Sequence, residues 1–168
     1  FKKMKTFKKL TAVFLLLLFT VTVNAQSKVA HVDFQTLISQ MPEFIEAQAQ
    51  LQKLQNTYQT DLEQSAKEYQ TKLQTYTADA QNQTDATNQA RQKELAGMEQ
   101  NLQQYQQSAA QDVQKKQNDL IVPISEKARA AINKIAMSLG YEYVIDKQMT
   151  LVSEGKDLME EVKKELGF

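Results

Sequence analysis

A regularly spaced apolar stripe dominates the first half of the chain. Its members lie 3, 4, 4, 3, 4, 4, 3 and 4 residues apart, an 11-residue repeat that matches the turn of an α-helix. The stripe consists of Leu51, Leu54, Tyr58, Leu62, Ser65, Tyr69, Leu73, Tyr76 and Ala80. Because only one narrow face of this helix is apolar, we expect it to pair with one other helix and to leave its remaining faces in water.

A second stripe with helical spacing follows, interrupted by a polar gap at Lys116 and Gln117. It consists of Leu95, Met98, Leu102, Tyr105, Ala109, Val113, Leu120, Ile124, Ala128, Ile132, Ile135 and Leu139. Residues 81–88, between the two stripes, contain no apolar side chain larger than alanine and are rich in turn and capping residues. The sequence therefore predicts an arm, residues 43–139, in which two long antiparallel helices meet along one seam and turn at a tip near residues 82–88.

The composition of the arm allows a second interpretation. Residues 47–118 include 20 glutamines, one glycine and no proline. Polar stretches of this kind are often disordered. The helical spacing of the apolar residues favours the two helices, which would each be about 60 to 75 Å long.

The segments that flank the arm, residues 26–42 and 140–168, differ from it in pattern, and together we call them the body. Their β-type runs are residues 29–34, 141–146 and 149–152, and their helical stretches are residues 35–40 and the segment after Asp157. The fold class predicted from the whole pattern is mainly α with a small β portion.

Four positions in the flanks indicate where helices begin and end. Pro42 suits the first turn of the long helix, and Gly140 stands where that hairpin should end. Asp157, with Glu160 three residues later, resembles a capping box for a last helix that Gly167 terminates.

Three short strands and one small helix make a poor hydrophobic core by themselves, and a small sheet exposes its edges. We therefore expect several copies of the chain to pool their strands. The residues predicted to form this oligomerisation body are Val29, Ala30, Val32, Phe34, Tyr141, Tyr143, Val144, Ile145 and Leu151.

The first 25 residues have the pattern of a cleaved signal peptide. A lysine-rich start, with Met4 as the expected initiator, precedes an apolar run from Leu10 to Val23, and Ala25 ends the small-residue cleavage pattern. This run of 14 residues is shorter than the roughly 20 that span a bilayer. The sequence predicts export, with no stable membrane insertion after cleavage. The exported chain would carry 15 basic and 20 acidic side chains, a net charge of −5.

The residue content argues against catalysis. The chain has no cysteine and one histidine, His31, which lies in an apolar strand-like run where a structural role is expected. Its four glycines are too scattered to form a phosphate-binding loop. We expect no enzyme activity, metal or cofactor, and the negative charge argues against binding nucleic acid.

The order of these elements resembles the Skp (OmpH-type) family of periplasmic chaperones. The resemblance covers the whole exported chain, and its specific parts are the strand-like runs at residues 28–33 and 141–146 and the terminal helix at residues 157–162. It implies a homotrimer in which a small β-barrel body carries three helical arms around a cavity. It also implies an ATP-independent holdase that keeps unfolded outer-membrane β-barrel proteins soluble in the periplasm. Familiar members are strongly basic, whereas this exported chain is acidic.

If clients bind along the arm, weak contacts from several apolar side chains could add together without a deep pocket. The candidate client-binding residues are Tyr58, Tyr69, Leu73, Tyr76, Met98, Leu102 and Tyr105, although the same side chains could simply hold the two helices together. Gly97 and Pro123 interrupt the second helix and are candidate hinges. The alternative function is that of a structural coiled-coil spacer or adaptor of the cell envelope, which needs the helices but no cavity.

Overall fold

The structure is a computed structural model that describes residues 28–168. The predicted signal peptide, residues 1–25, lies outside the described residues. The described part of the chain is mainly helical with a small strand portion. In chain order its elements are β1 (Val29–Val32), α1 (Phe34–Gln40), α2 (Pro42–Ala78), α3 (Asp85–Leu139), β2 (Tyr143–Asp146), β3 (Lys156–Asp157) and α4 (Met159–Leu166), with single 3-10 turns at Ala80–Asn82 and Lys147–Met149.

Helices α2 and α3 form a long hairpin that begins and ends where local sequence signals lie. Pro42 is the first residue of α2, a position that needs no backbone donor. The Thr84 side chain caps α3 by accepting a hydrogen bond from the Thr87 amide. At the other end of α3, Gly140 has a φ of 71°, the left-handed conformation that ends many helices.

The three strands form one parallel sheet in the order β2-β1-β3. Val29 pairs with Tyr143 and Val32 with Asp146, so the chain leaves β1, runs out and back along the hairpin, and returns beside its starting point. Strand β1 ends at Val32 because Asp33 accepts a hydrogen bond from the Thr36 amide at 2.8 Å and caps α1.

The prediction of a strand at residues 149–152 is wrong. The Asp146 side chain accepts a hydrogen bond from the Gln148 amide and turns the chain into a 3-10 turn directly after β2. The second edge of β1 is occupied instead by residues 156–157. Leu151 and Val152 consequently lie in an irregular connection and expose their side chains.

The predicted capping box of the last helix is also wrong. Asp157 belongs to β3, where it pairs with His31, and its carboxylate accepts a hydrogen bond from the Met159 amide at 2.9 Å. Helix α4 therefore begins at Met159. It ends before Gly167, as expected, and that glycine has a φ of 89°.

The hydrophobic core lies where the sheet and the short helices meet the base of the arm. Leu37, Met41, Leu158 and Val162 are its largest fully buried side chains. Residues of α2 and α3 complete it, among them Ala47, Ile124, Ala128, Ala131 and Ala136. The core of the body thus includes the first turns of α2 and the last four turns of α3, which were predicted to belong to the arm. Within residues 28–168, no helix combines the length and the hydropathy that crossing a membrane would require.

Candidate functional site

The two predicted stripes meet along the seam of the hairpin. Most stripe residues of the outer hairpin, including Tyr58, Tyr69, Met98 and Leu102, are half-buried, and only Ala109 of the second stripe is fully buried there. A single line of partly covered side chains therefore separates the two helices, and the outer faces of both helices remain exposed.

At mid-arm the seam is closed by a reciprocal pair of tyrosines. The Tyr58 hydroxyl donates to Asp112 Oδ2 at 2.8 Å, and the Tyr105 hydroxyl donates to Asp61 Oδ2 at 2.7 Å. The two rings stand edge to face with their centroids 5.7 Å apart. Each tyrosine thus reaches across the seam to a carboxylate on the opposite helix. The hydrogen bond to Asp61 raises the pKa of Tyr105 to about 12, and the bond to Asp112 raises the pKa of Tyr58.

A second polar cluster closes the seam near the tip. The Tyr76 hydroxyl donates to Glu94 Oε2 at 2.7 Å, and Lys72 forms an ion pair with the same carboxylate. The Arg91 guanidinium lies 4.6 Å from the centre of the Tyr76 ring and donates to Asp79 Oδ2 at 3.1 Å. The hydrogen bond from Lys72, followed by that from Tyr76, lowers the pKa of Glu94. The hydrogen bonds from Arg91 and then Asn82 lower the pKa of Asp79.

The candidate client-binding residues therefore divide into two groups. Tyr58, Tyr76 and Tyr105 use their hydroxyls within the arm, so their first role in this conformation is to hold the helices together. The side chains of Leu73, Met98 and Leu102 make no polar contacts, and Leu73 is the most exposed of them at 40%. Tyr69 is half-buried in the seam.

Two shallow clefts give access to the seam from outside. Met98, Leu102 and Tyr105 line the first together with Ser65, Glu68 and Asn101. The second lies nearer the tip and is lined by Leu73, Thr77, Leu95 and the Tyr76–Arg91 pair, among others. An extended polypeptide could place apolar side chains in either cleft without separating the helices.

The outer faces of both helices are polar and rich in glutamine. Several glutamines bond to the residue one turn away, such as Gln59 to Glu63 at 2.6 Å and Gln64 to Glu68 at 3.2 Å. These contacts satisfy hydrogen-bonding groups of the glutamines within each helix. Because the faces are polar, little apolar surface lies outside the clefts.

Both candidate hinges lie inside the continuous helix α3. Gly97 is half-buried, and a Cβ added there would meet no atom within 4 Å. Pro123 lies one residue before Ile124, which belongs to the core, and is itself exposed. Pro123 is therefore placed where the free part of the arm meets the body.

The predicted oligomerisation residues also divide by exposure. Ala30 and Val32 are buried in the chain's own core, and Phe34, Tyr141 and Val144 pack against it. Val29, Tyr143 and Ile145 are exposed, and because Val29 pairs with Tyr143 in the sheet, all three lie on one face of it. Leu151 is fully exposed.

Further exposed apolar side chains, in the body and at the end of α3, were not predicted or were assigned to the wrong element. Met137, Met149 and Val152 are 72%, 83% and 76% exposed. Met137 lies outside the second stripe, and this mismatch with the helical period was the one sequence signal that could have identified it. Most of the exposed large apolar side chains among the described residues thus belong to the body and the end of α3. The others lie elsewhere on the hairpin and are Ile45, Leu73 and Val122.

His31 occupies the structural position that its sequence context predicted. It is buried, and its Nε2 lies 3.1 Å from the Gly155 carbonyl oxygen, which fits a donated hydrogen bond. Its Nδ1 lies 3.8 Å from Asp157 Oδ2. These contacts fasten the connection between β2 and β3 onto β1. Within residues 28–168, no three His, Asp or Glu side chains are grouped closely enough to hold a metal ion.

Comparisons with known proteins agree with this architecture. The family model for "Outer membrane protein (OmpH-like)" matches residues 28–166. Among solved structures, the chain resembles a Caulobacter crescentus CB15 protein assigned as an OmpH-like outer membrane chaperone, with a TM-score of 0.76 and 10% sequence identity over 84% of this chain and 85% of that one. At this identity the structural likeness concerns the fold alone. No curated protein matches the sequence. Because the family model covers nearly all of the described residues, the chain belongs to the OmpH-like outer membrane protein family.

Proposed function

We propose that this protein is an ATP-independent holdase chaperone of the periplasm. It would bind unfolded outer-membrane β-barrel proteins between helical arms and prevent their aggregation on the way to the outer membrane. The observation that carries this proposal is the contrast between the two ends of the molecule. A thin arm with shallow apolar clefts extends from a body whose apolar surface is left open.

Assembly would follow from the open surface of the body. Val29, Tyr143 and Ile145 share one face of the sheet and are 43%, 60% and 41% exposed, and β2 is an edge strand of that sheet. Three copies that joined through these surfaces would bring three arms around one cavity. The homotrimer and its barrel-like body are part of the proposal, and the family membership supports them.

Client capture would depend on many weak contacts. A client chain in the cavity would meet the clefts of several arms at once, so contacts that are individually weak would add through their high effective concentration. The candidate residues Leu73, Met98 and Leu102 would supply the most accessible apolar contacts. Tyr58, Tyr69, Tyr76 and Tyr105 would present the edges of their rings while they hold the seam.

Release would require no nucleotide. A client that folds and inserts into the outer membrane leaves the pool of unfolded chains, and the bound form then dissociates by mass action. Motion of the arm at Pro123 or Gly97 would let one cavity accept clients of different sizes. The proposal includes removal of residues 1–25 as a signal peptide during export.

The test is an aggregation assay without nucleotide. A urea-unfolded outer-membrane porin is diluted into buffer with or without the purified protein, and light scattering is recorded. The proposal predicts that the protein suppresses scattering of two or more unrelated unfolded barrels and does not bind the same barrels once they are folded in detergent. Binding of a single folded envelope protein with fixed stoichiometry, and no effect on scattering, would instead identify a structural spacer or adaptor.

A further inference from the structure

The outer part of the arm, residues 54–112, carries a net negative charge, and we call it the outer arm. It carries eight acidic and four basic side chains, a net charge of −4. The remaining described residues carry 12 acidic and 11 basic side chains, a net charge of −1. The outer arm is therefore distinctly negative. The base of the arm, residues 43–53 and 113–139, is positive with four acidic and six basic side chains, and the body carries eight acidic and five basic side chains.

Ion pairs within the outer arm occupy half of its cations and leave most of its carboxylates without a cationic partner. Two of its four cations are used within the arm, since Lys72 pairs with Glu94 and Arg91 with Asp79. The other two cations of the outer arm, Lys67 and Lys93, form no ion pair within residues 28–168. Six carboxylates of the outer arm have no cationic partner among the same residues: Asp61, Glu63, Glu68, Asp85, Glu99 and Asp112.

One of these carboxylates lies at an apolar cleft. Glu68 lines the same cleft as Met98, Leu102 and Tyr105, and no basic residue lines that cleft. A chain segment that placed an apolar side chain in this cleft would bring its neighbouring residues close to the Glu68 carboxylate. A lysine or arginine there would be attracted, and an aspartate or glutamate would be repelled.

From this charge distribution we infer that the arms select unfolded segments in which apolar residues alternate with lysine or arginine. This inference rests on the proposed holdase function and adds the charge of the preferred client to it. Charges on a thin arm lie within about 8 Å, one Debye length at physiological salt, of any chain that follows its surface. Like charges on the wrong client would weaken binding in the same way that opposite charges strengthen it.

The selectivity would come from several small contributions. One exposed ion pair changes an affinity by no more than about fivefold, and several pairs along each arm act together. We expect a basic client to bind about tenfold or more tightly than an acidic client at low salt. Because exposed charges are screened, we expect this ratio to fall towards one at about 1 M salt.

The experiment uses two versions of one unfolded outer-membrane barrel that differ only at exposed polar positions, one rich in lysine and the other rich in glutamate. Affinities of the purified wild-type protein for both are measured by fluorescence anisotropy at low and high salt. The outer-arm variant carries Glu63→Gln, Glu68→Gln and Glu99→Gln, which keep side-chain size and remove three charges. A control variant carries Glu126→Gln, Glu142→Gln and Glu154→Gln, exposed carboxylates outside the outer arm that make the same change in net charge.

The inference predicts that the wild type and the control variant prefer the basic client, and that the outer-arm variant loses most of this preference while keeping the same helix content by circular dichroism. Equal affinity for both clients in the wild type would overturn the inference and leave the holdase function intact. An equal loss of preference in both variants would also overturn it, because net charge alone would then explain the effect. Failure of the wild type to bind either unfolded client would contradict the proposed function itself.

Discussion

Tyr58 and Tyr105 stand edge to face across the seam of the arm, and each donates its hydroxyl to a carboxylate of the opposite helix. The arrangement holds two helices together with one pair of aromatic rings and two hydrogen bonds, at a level where neither helix has a fully buried residue larger than alanine. It explains how a hairpin with so little apolar contact remains closed at mid-arm. It also implies that the arm is sensitive to single substitutions at this level.

We expect Tyr105→Phe to lower the melting temperature by about 2 to 4 °C, because Asp61 loses its donor while the ring contact with Tyr58 remains. Tyr105→Ala should lower it further, since the ring is lost as well. Thermal unfolding followed by circular dichroism measures both changes. Tyr69→Phe is the matched control, because no hydrogen bond of the Tyr69 hydroxyl occurs within residues 28–168; an equal effect of this variant would refute the role of the hydroxyl pair.

Alkaline pH should open the arm. The pKa of Tyr105 is raised from 10.0 to about 12 in the folded arm, so its contribution to stability is complete below pH 10 and is lost as the pH rises through about 12. The absorbance of tyrosinate at 295 nm and the helical circular dichroism signal, recorded together, should show late ionisation of Tyr58 and Tyr105 accompanied by loss of helix. Ionisation of all six tyrosines at the ordinary pKa, with no change in helicity, would contradict the contacts described here.

The tip should be weakened by acid. The pKa values of Asp79 and Glu94 are lowered below 3.8 and 4.5 by their partners, so the stability they contribute is present above these values and is lost as the pH falls through the lowered pKa values. Hydrogen exchange of residues 76–94, corrected for the intrinsic pH dependence, should show that protection is lost as the pH falls below the ordinary carboxyl pKa values. In Arg91→Gln the protection should already be reduced at neutral pH, and a tip that exchanged identically in both proteins would rule out the Arg91–Asp79 contact.

An acidic substitution on the open surface of the body should disturb assembly without unfolding the chain. Leu151 is fully exposed, so Leu151→Asp removes no contact within the chain. If the side chain is buried between copies, its loss should weaken assembly by about tenfold or more per contact. Analytical ultracentrifugation measures the change. Val122→Asp replaces an apolar side chain on the arm that is 51% exposed and should leave the assembly unaffected.

Pro123→Ala should straighten the junction of arm and body. Pro123 removes a backbone donor inside α3, at the place where the helix leaves the core, and a proline inside a helix commonly kinks it. Small-angle scattering should therefore show a narrower range of arm positions in the variant, and protection of large clients should decrease. Unchanged scattering and unchanged client protection would eliminate Pro123 as a hinge.

The arm was predictable because its pattern is local. The spacing of residues such as Leu62 and Leu102 reflects the helical turn itself, and a regular helix keeps that relation over its whole length. The hydrogen bonds of Tyr58 and Tyr105 were not predictable, because they join residues 44 to 54 positions apart and depend on how the two helices are aligned.

The body was predicted less well because its elements depend on contacts with distant residues. The run from Met149 to Val152 has strand composition, but the place beside β1 is taken by Lys156 and Asp157. In the same way, Ala30 and Val32 were predicted to form contacts between copies. They are instead buried in a core within the chain, to which Ile124 and Ala128 of α3 also belong.

The mass of the assembly with a client bound tests the central claim most directly. Native mass spectrometry of the purified protein, mixed with one urea-unfolded outer-membrane porin in the absence of nucleotide, reports how many copies hold each client. We predict a complex of three copies and one unfolded porin. A chain that remains a monomer at working concentration, or an assembly from which the unfolded porin is absent, would contradict the proposal that several arms enclose one client.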